Sequence, residues 1–202
     1  MESTFNSKDL DKDPIKEFQK LFARVLKFSE HDPSAMTLAT ATPDGRPSAR
    51  IVLYKGIIDQ SFVFYTSYES DKGAALEINP QAALVFYWHP VYQQVRIEGS
   101  AEKTSREESE KYFHSRPRES QLAAVASAQS KVIGNRTDLL REFELVKKKF
   151  DGLEVECPTH WGGYKVIPRR MEFWFGHPFR LHDRVCYTRE DKGDWKISFL
   201  NP

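Results

Sequence analysis

The sequence predicts a mainly β protein with added helices (α+β), an antiparallel barrel decorated by helical segments. Three observations carry that expectation. Runs with strand character follow one another through short turns, without the regular βαβ alternation of a doubly wound sheet. Sustained helical periodicity is confined to one segment at the start and a group in the middle, beside one short helix near residue 72. Hydrophobic residues make up 40% and aromatics 13% of 202 residues, enough for a sizeable folded core and too much for a disordered chain.

Taken in order, residues 1–13 are polar and read as a mobile arm, with Asp13-Pro14 as a helix entry. Ile15, Phe18, Leu21, Phe22, Val25 and Leu26 then recur at helical spacing, and the helix is expected to end near Ser29–Pro33. Met36–Ala41 reads as a strand and Pro43-Asp44-Gly45 as a turn. Strands follow at Pro47–Tyr54 and Phe62–Thr66, expected to pair as a hairpin around Gly56–Gln60. Lys72–Ile78 reads as a short helix closed by Asn79-Pro80, and Ala82–His89 as a buried strand. From Gln93 to Ala101 Val95, Ile97 and Gly99 alternate with Gln94, Arg96 and Glu98. Ser105-Arg-Glu-Glu108 forms a capping box whose helix must stop by Arg116, ahead of Pro117. Further helix is expected at Ser120–Ser127 and Leu139–Phe150, then strands at Gly163–Ile167, Met171–Phe175, Arg180–Tyr187 and Trp195–Leu200. No repeat or linker divides the chain, so residues 14–202 are expected to form one domain.

Thirty basic and 29 acidic residues nearly cancel, so no bulk field draws the chain to nucleic acid or a membrane. No apolar run approaches a membrane span. Cys157 and Cys186 have neither metal-ligand spacing nor disulfide density, which suits a reducing, cytoplasmic setting. The ten glycines form no G-x-G-x-x-G or Walker loop, and no G-x-S-x-G, H-E-x-x-H or paired-cysteine signature occurs. No metal is expected, and any anion site must be built locally.

Three clusters can build one. Arg50 and Lys55 bracket the apolar part of a strand, Tyr65-Thr66 ends another, and Lys72 stands where a helix begins. Free N–H groups and the positive helix end make such a start a seat for phosphate; the alternative is strand-end charges reaching solvent. Tyr112 and Arg116 are four apart on one helix face, with Ser120 just past the Pro117 break. A guanidinium, a phenol and a hydroxyl together match a phosphate monoester; a solvated helix end is the competing reading. Finally, a strand from Phe179 onward would rank Arg180, His182 and Arg184 on one face beside Trp174. There the alternative is an edge strand with solvated charges. Two anion seats and a cationic face together point to two phosphorylated molecules bound side by side.

Arg50-Ile-Val-Leu-x-Lys55, Phe64-Tyr65-Thr66, Tyr112-Phe-His-Ser-Arg116-Pro-Arg-x-Ser120-Gln, Gln129-Ser130, Trp161-Gly-Gly and Glu172-Phe-Trp174 through Arg180-Leu-His182-Asp-Arg184 resemble the pyridoxine/pyridoxamine 5′-phosphate oxidase family. The likeness runs from about Asp13 to the C-terminus. It implies an FMN-binding split barrel, a homodimer with two sites at the interface, and oxidation of a phosphorylated B6 vitamer to pyridoxal phosphate with O2 reduced to hydrogen peroxide. By position, FMN would contact Arg50, Lys55, Tyr65, Thr66, Lys72, Gln94, Gln129, Ser130, Trp174 and Arg184. The substrate phosphate would be held by Lys55, Tyr112, Arg116 and Ser120, with Arg180 and His182 against its ring. His182, Arg180 and Asp32 are the implied catalytic group, His182 as a proton relay. Two positions depart: Asp71 where the family usually has a basic residue, expected to weaken FMN binding, and Phe199 where arginine is common. A same-fold oxidase of the phenazine-biosynthesis kind and a non-catalytic flavin or vitamer binder are the alternatives.

Overall fold

The computed structural model describes residues 9–27 and 32–202. Its first element, α1 (Pro14–Val25), starts where the Asp13 carboxylate accepts the Ile15 N–H at 2.9 Å and Pro14 takes the first turn. The apolar stripe Ile15, Phe18, Leu21 and Val25 is buried, and Phe18 packs edge-on against Phe62 and Tyr54 and tilted against Phe86. The helix ends at Val25, before the expected stop; residues 28–31, which carry part of that stop, lie outside the described residues. So do residues 1–8 of the expected arm. Residues 9–13 rest on the body, where Lys20 pairs with Asp11 at 2.9 Å and the Tyr187 hydroxyl donates to the Asp11 carbonyl at 2.8 Å.

Among the described residues nine strands form one antiparallel sheet: β1 (Ala35–Ala41), β2 (Pro47–Leu53), β3 (Ile57–Ile58), β4 (Ser61–Ser67), β5 (Gln81–Trp88), β6 (Gln93–Lys103), β7 (Trp161–Phe175), β8 (Asp183–Arg189) and β9 (Trp195–Phe199). The order is β2-β1-β5-β6-β7-β4-β3, with β8 and β9 continuing from the far half of β7. The first half of β7 pairs with β4 and its second half with β8, while β6 runs along both. One strand thus serves two neighbours on the same side, which bends the sheet around the core. The bend is at the bulge between Glu98 and Gly99. A Cβ at Gly99 would stand 1.9 Å from the Ile167 carbonyl oxygen, so only glycine fits. This is the helix-flanked antiparallel barrel the sequence predicts.

Helix α2 (Asp71–Ile78) leads into β5, and α3 (Arg106–Ser115), α4 (Arg118–Ala126) and α5 (Arg136–Lys149) lie between β6 and β7. Both halves of the Ser105–Glu108 capping box form. Phe113 and Leu122 pack with Val155, Cys157 and Trp161 in a small second apolar cluster.

Three local expectations are corrected. The 47–54 and 62–66 strands do not pair as a hairpin: β2 pairs with β1, and β4 takes the two-residue β3 and then β7. The reason is that β4 is buried on both faces and needs neighbours on both edges. The segment 161–175 is one bent strand rather than two. And Arg180, His182 and Arg184 do not share a strand face. Pro178–Arg180 is a 3₁₀ turn with Phe179 and Arg180 at φ 58° and 61°, and β8 begins only at Asp183. The His177 N–H donates to His182 Nδ1 at 3.0 Å and closes this loop.

Candidate functional site

A cavity of about 750 Å³ opens between β2, the end of β4, the start of α2 and the α3–α4 junction. It gathers Arg50, Lys55, Tyr65, Thr66, Lys72, Tyr112, Arg116, Ser120 and Gln129, nine of the residues singled out from sequence. Four of the lining residues are cations, and among the described residues none is an acid.

One end is built on the α2 start. Ser70 caps the helix by accepting the Gly73 N–H, and the chain passes so close that a Cβ on Gly73 would meet the Tyr68 carbonyl oxygen at 2.2 Å. Lys72 is only 8% exposed. Its ammonium donates to the Thr66 and Ser70 hydroxyls at 3.2 and 3.3 Å, and among the described residues no ion pair holds it. Burial, then the charge of Arg50, lowers its pKa, with Asp71 opposing. Arg50 is aimed by bonds to the Thr40 hydroxyl at 2.9 Å, the Ser48 hydroxyl at 2.7 Å and the Leu38 carbonyl at 3.3 Å; burial lowers its pKa too. The Thr66 hydroxyl and the Ser67 N–H donate to Gln129 Oε1 at 2.9 and 3.3 Å, tying the segment after α4 to this end.

The other end is aromatic. Tyr112 on α3 stacks on Tyr65 with centroids 3.8 Å apart, and both rings lie nearly parallel to the Trp161 indole. Burial, then Tyr112, pushes the Tyr65 pKa up to about 12. Arg116 caps α3 with its guanidinium 4.7 Å above the Trp161 ring. Its Nη1 is buried without a hydrogen-bond partner, and burial lowers its pKa. Ser120 follows in the first turn of α4, and Lys55 just past β2.

The remaining candidates lie elsewhere. Gln94, Trp174 and Arg184 are cross-strand partners in one row over β6, β7 and β8. Glu172, 2% exposed, accepts from Arg184 Nε and Nη2, both at 2.9 Å. The His182 ring lies 4.6 Å from Trp174, whereas Arg180 is exposed. Ser130 is exposed beside Gln129 at φ 69°. Asp32 accepts the Ser34 N–H at 2.9 Å, and its bonds to Ser34, with Lys55 beyond, lower its pKa. The cavity wall formed by Trp161 was not assigned a role from sequence. Its signal was the glycine pair that follows: a Cβ at Gly163 would meet Tyr65 at 2.9 Å and one at Gly162 the Tyr68 hydroxyl at 2.0 Å, so the glycines let the rings close up.

An acid-free, cation-lined cavity with flat walls and an unpaired buried guanidinium N–H suits anionic, aromatic ligands. Arg50, Lys72, Thr66 and Gln129 can hold one phosphate and Lys55, Arg116, Tyr112 and Ser120 another, so the residues fit a flavin mononucleotide beside a second phosphorylated ring.

Residues 22–150 match the family model described as pyridoxamine 5′-phosphate oxidase, and residues 161–202 match that described as the pyridoxine 5′-phosphate oxidase C-terminal dimerisation region. The chain is 50% identical over 200 residues to a pyridoxine/pyridoxamine 5′-phosphate oxidase of Leptospira interrogans, covering 99% of this chain and 94% of that one. It is 52% identical over 192 residues to one of Salinibacter ruber, covering 94% and 89%. Among solved structures, PhzG of Burkholderia lata, in complex with tetrahydrophenazine-1-carboxylic acid, superposes with a TM-score of 0.93 at 30% identity over 100% of this chain and 99% of that one. A pyridoxamine 5′-phosphate oxidase-related, FMN binding protein of Nostoc punctiforme shares the fold, with a TM-score of 0.75 at 18% identity over 92% and 97%.

Proposed function

Since the chain belongs to the pyridoxamine 5′-phosphate oxidase family, we propose that it is an FMN-dependent oxidase converting pyridoxamine or pyridoxine 5′-phosphate to pyridoxal 5′-phosphate, with O2 reduced to hydrogen peroxide. FMN is its cofactor. The observation that carries the substrate is the second cationic seat: Lys55 and Arg116, with Tyr112 and Ser120, remain for a second phosphate once Arg50 and Lys72 hold the first.

The chemistry that bound FMN supplies is acceptance of two electrons from the substrate carbon and their delivery to dioxygen. The chain's own residues bind, orient and handle protons. Arg50 and Lys72 anchor one phosphate, Lys55 and Arg116 the other, and two fixed ends limit how one ring slides over its neighbour. Trp174 offers a flat wall, and Arg184, held by Glu172, a cation for charge developing on a reduced ring. His182 accepts the His177 N–H at Nδ1, so its neutral ring carries the proton on Nε2 and is a donor there. Taking up a proton puts N–H on both ring nitrogens and so gives up the bond from His177. The dimerisation region supports a homodimer, and the reading places the sites at the subunit boundary.

A second reading, oxidation of a phenazine-type substrate, is favoured by the full-length likeness to PhzG. A ring bearing one carboxylate makes less use of the four-residue second seat. The test loads the purified protein with FMN, adds pyridoxamine 5′-phosphate under air, and follows pyridoxal phosphate absorbance and peroxide. Turnover that collapses when the substrate lacks its phosphate is expected. An FMN-loaded protein that turns over neither form rejects the assignment.

A further inference from the structure

Arg116 carries the second phosphate seat, yet its side chain is held by no ion pair among the described residues. Its backbone is pinned: Pro117 forces the extended conformation seen at Arg116 (φ −77°, ψ 152°), and Gln121 Nε2 donates to the Arg116 carbonyl at 2.8 Å. The guanidinium itself touches two aromatic faces, Trp161 at 4.7 Å and Phe113 at 5.7 Å. We propose that Trp161 is the positioning residue of the phosphate seat: its indole holds the Arg116 guanidinium against the cavity wall, so that the donors of Arg116 are already placed for the phosphate of the substrate. The claim rests on the reading of this seat as a phosphate site.

The physical case has three parts. A guanidinium is planar and weakly hydrated, so it stacks on an indole face without surrendering its in-plane N–H donors, and those stay free for a ligand. A long side chain with many rotamers loses less entropy on binding if a wall has already chosen one of them. And Trp161 is itself fixed. It is 6% exposed, its strand pairs Trp161 with Ser67, and Tyr65 stacks on it at 5.6 Å. Tyr112 lies in the same stack, 3° from parallel with Trp161. One indole therefore lies parallel to the phenol and against the guanidinium that would together grip the phosphate. Arginine and tryptophan are here a unit, and lysine at 116 would not reproduce it.

The experiment titrates FMN-loaded protein with pyridoxal 5′-phosphate and, separately, with pyridoxal, and measures kcat and KM for pyridoxamine 5′-phosphate. Trp161→Leu removes the aromatic face and keeps apolar bulk; Trp161→Phe keeps a smaller face. We expect Trp161→Leu to weaken pyridoxal 5′-phosphate binding about 5- to 30-fold, about 1 to 2 kcal/mol at 1.4 kcal/mol per tenfold. Pyridoxal affinity and kcat stay within about twofold while KM rises, the pattern of lost uniform binding. Trp161→Phe restores part of the loss. In an Arg116→Ala background Trp161→Leu adds less than about twofold, because its route is already gone. Equal losses for both ligands, an undiminished phosphate preference in both Trp161 variants, or the same loss with Arg116 absent overturns the proposal. If Trp161→Leu does not fold, Trp161→Phe with the Arg116→Ala cycle decides. A wild-type protein that binds both ligands equally defeats the phosphate reading itself, a result distinct from wild-type discrimination that the Trp161 variants leave intact.

Discussion

Replacing Glu172 by glutamine should cost more stability than any other single charge removal on the β6–β7–β8 face. Glu172 sits at 2% exposure among three arginines: Arg184 binds Oε1 through two nitrogens at 2.9 Å, and Arg170 and Arg96 reach Oε2 at 3.3 and 3.5 Å. Glu98 takes the other nitrogens of Arg96 and Arg170 at 3.0 and 2.9 Å. Three guanidiniums thus share two carboxylates, and Glu172→Gln leaves them one. Removing one partner of a buried pair costs about 3–5 kcal/mol when the other charge is stranded. The arginine side chains are 26–39% exposed, so water relieves part of this, and about 2–3 kcal/mol is the working figure. For a chain of this length that lowers Tm by roughly 4–12 °C. Glu98→Gln, whose carboxylate is 33% exposed, should cost under about 1 kcal/mol. Thermal unfolding of the two variants side by side measures the gap. Equal losses, or a Glu172→Gln protein as stable as wild type, refute the idea that burial makes this carboxylate the hub.

Four other outcomes are expected. Lys72 has its folded pKa lowered below 10.5, so the unfolded chain binds more protons between the two values and apoprotein stability rises with pH across that window; FMN affinity should fall over the same window, and in Lys72→Met both trends should vanish. Asp71 is exposed at the first turn of α2 and opposes the burial effect at both Arg50 and Lys72; Asp71→Asn should tighten FMN binding by roughly 3- to 10-fold at low salt and less at high salt, and equal affinities by flavin fluorescence dismiss that role. His182→Asn should lower kcat and flatten its pH profile, and an unchanged rate and profile remove His182 from proton handling. Gly99→Ala drives a Cβ into the Ile167 carbonyl and should fail to give soluble, cooperatively unfolding protein, whereas Gly45→Ala, strained only by its φ of 85°, should lose about 1–2 kcal/mol.

What the sequence made legible was local. The stripe of α1, the Ser105–Glu108 capping box, the stop at Pro117 and the alternation of β6 each lie within a dozen residues, and each stands as read. What it hid was pairing. Phe62–Thr66 is apolar on both faces, which says that it is central and not which strands flank it; β7, its main neighbour, comes some hundred residues later. The loop at 177–182 misled for the opposite reason. Its charged–apolar alternation copies a strand, but Pro178 and two left-handed residues turn the backbone instead.

The site divides along the same line. Arg50 with Lys55, Lys72, and Tyr112 with Arg116 and Ser120 were readable because strand ends, a helix start and four-residue spacing place them without any tertiary knowledge. Trp161 was not, since its meaning lies in Tyr65, Tyr112 and Arg116, brought to it from two other elements. One division remains within the chain itself. Trp174, His182 and Arg184 form a group on β7, β8 and the loop between them that does not line the cationic cavity, although the proposed reaction needs all of them near one pair of rings. Beside that cavity the edge strand β2 leaves Ile51 and Leu53 64% and 42% exposed, an apolar edge that open water disfavours. A second copy laid against β2 answers both at once, covering the edge and bringing a partner's tryptophan row to the cavity. On that reasoning a charged residue at Ile51 should part the subunits and abolish turnover while leaving Glu172 and its arginines, and hence most of the chain's own stability, untouched.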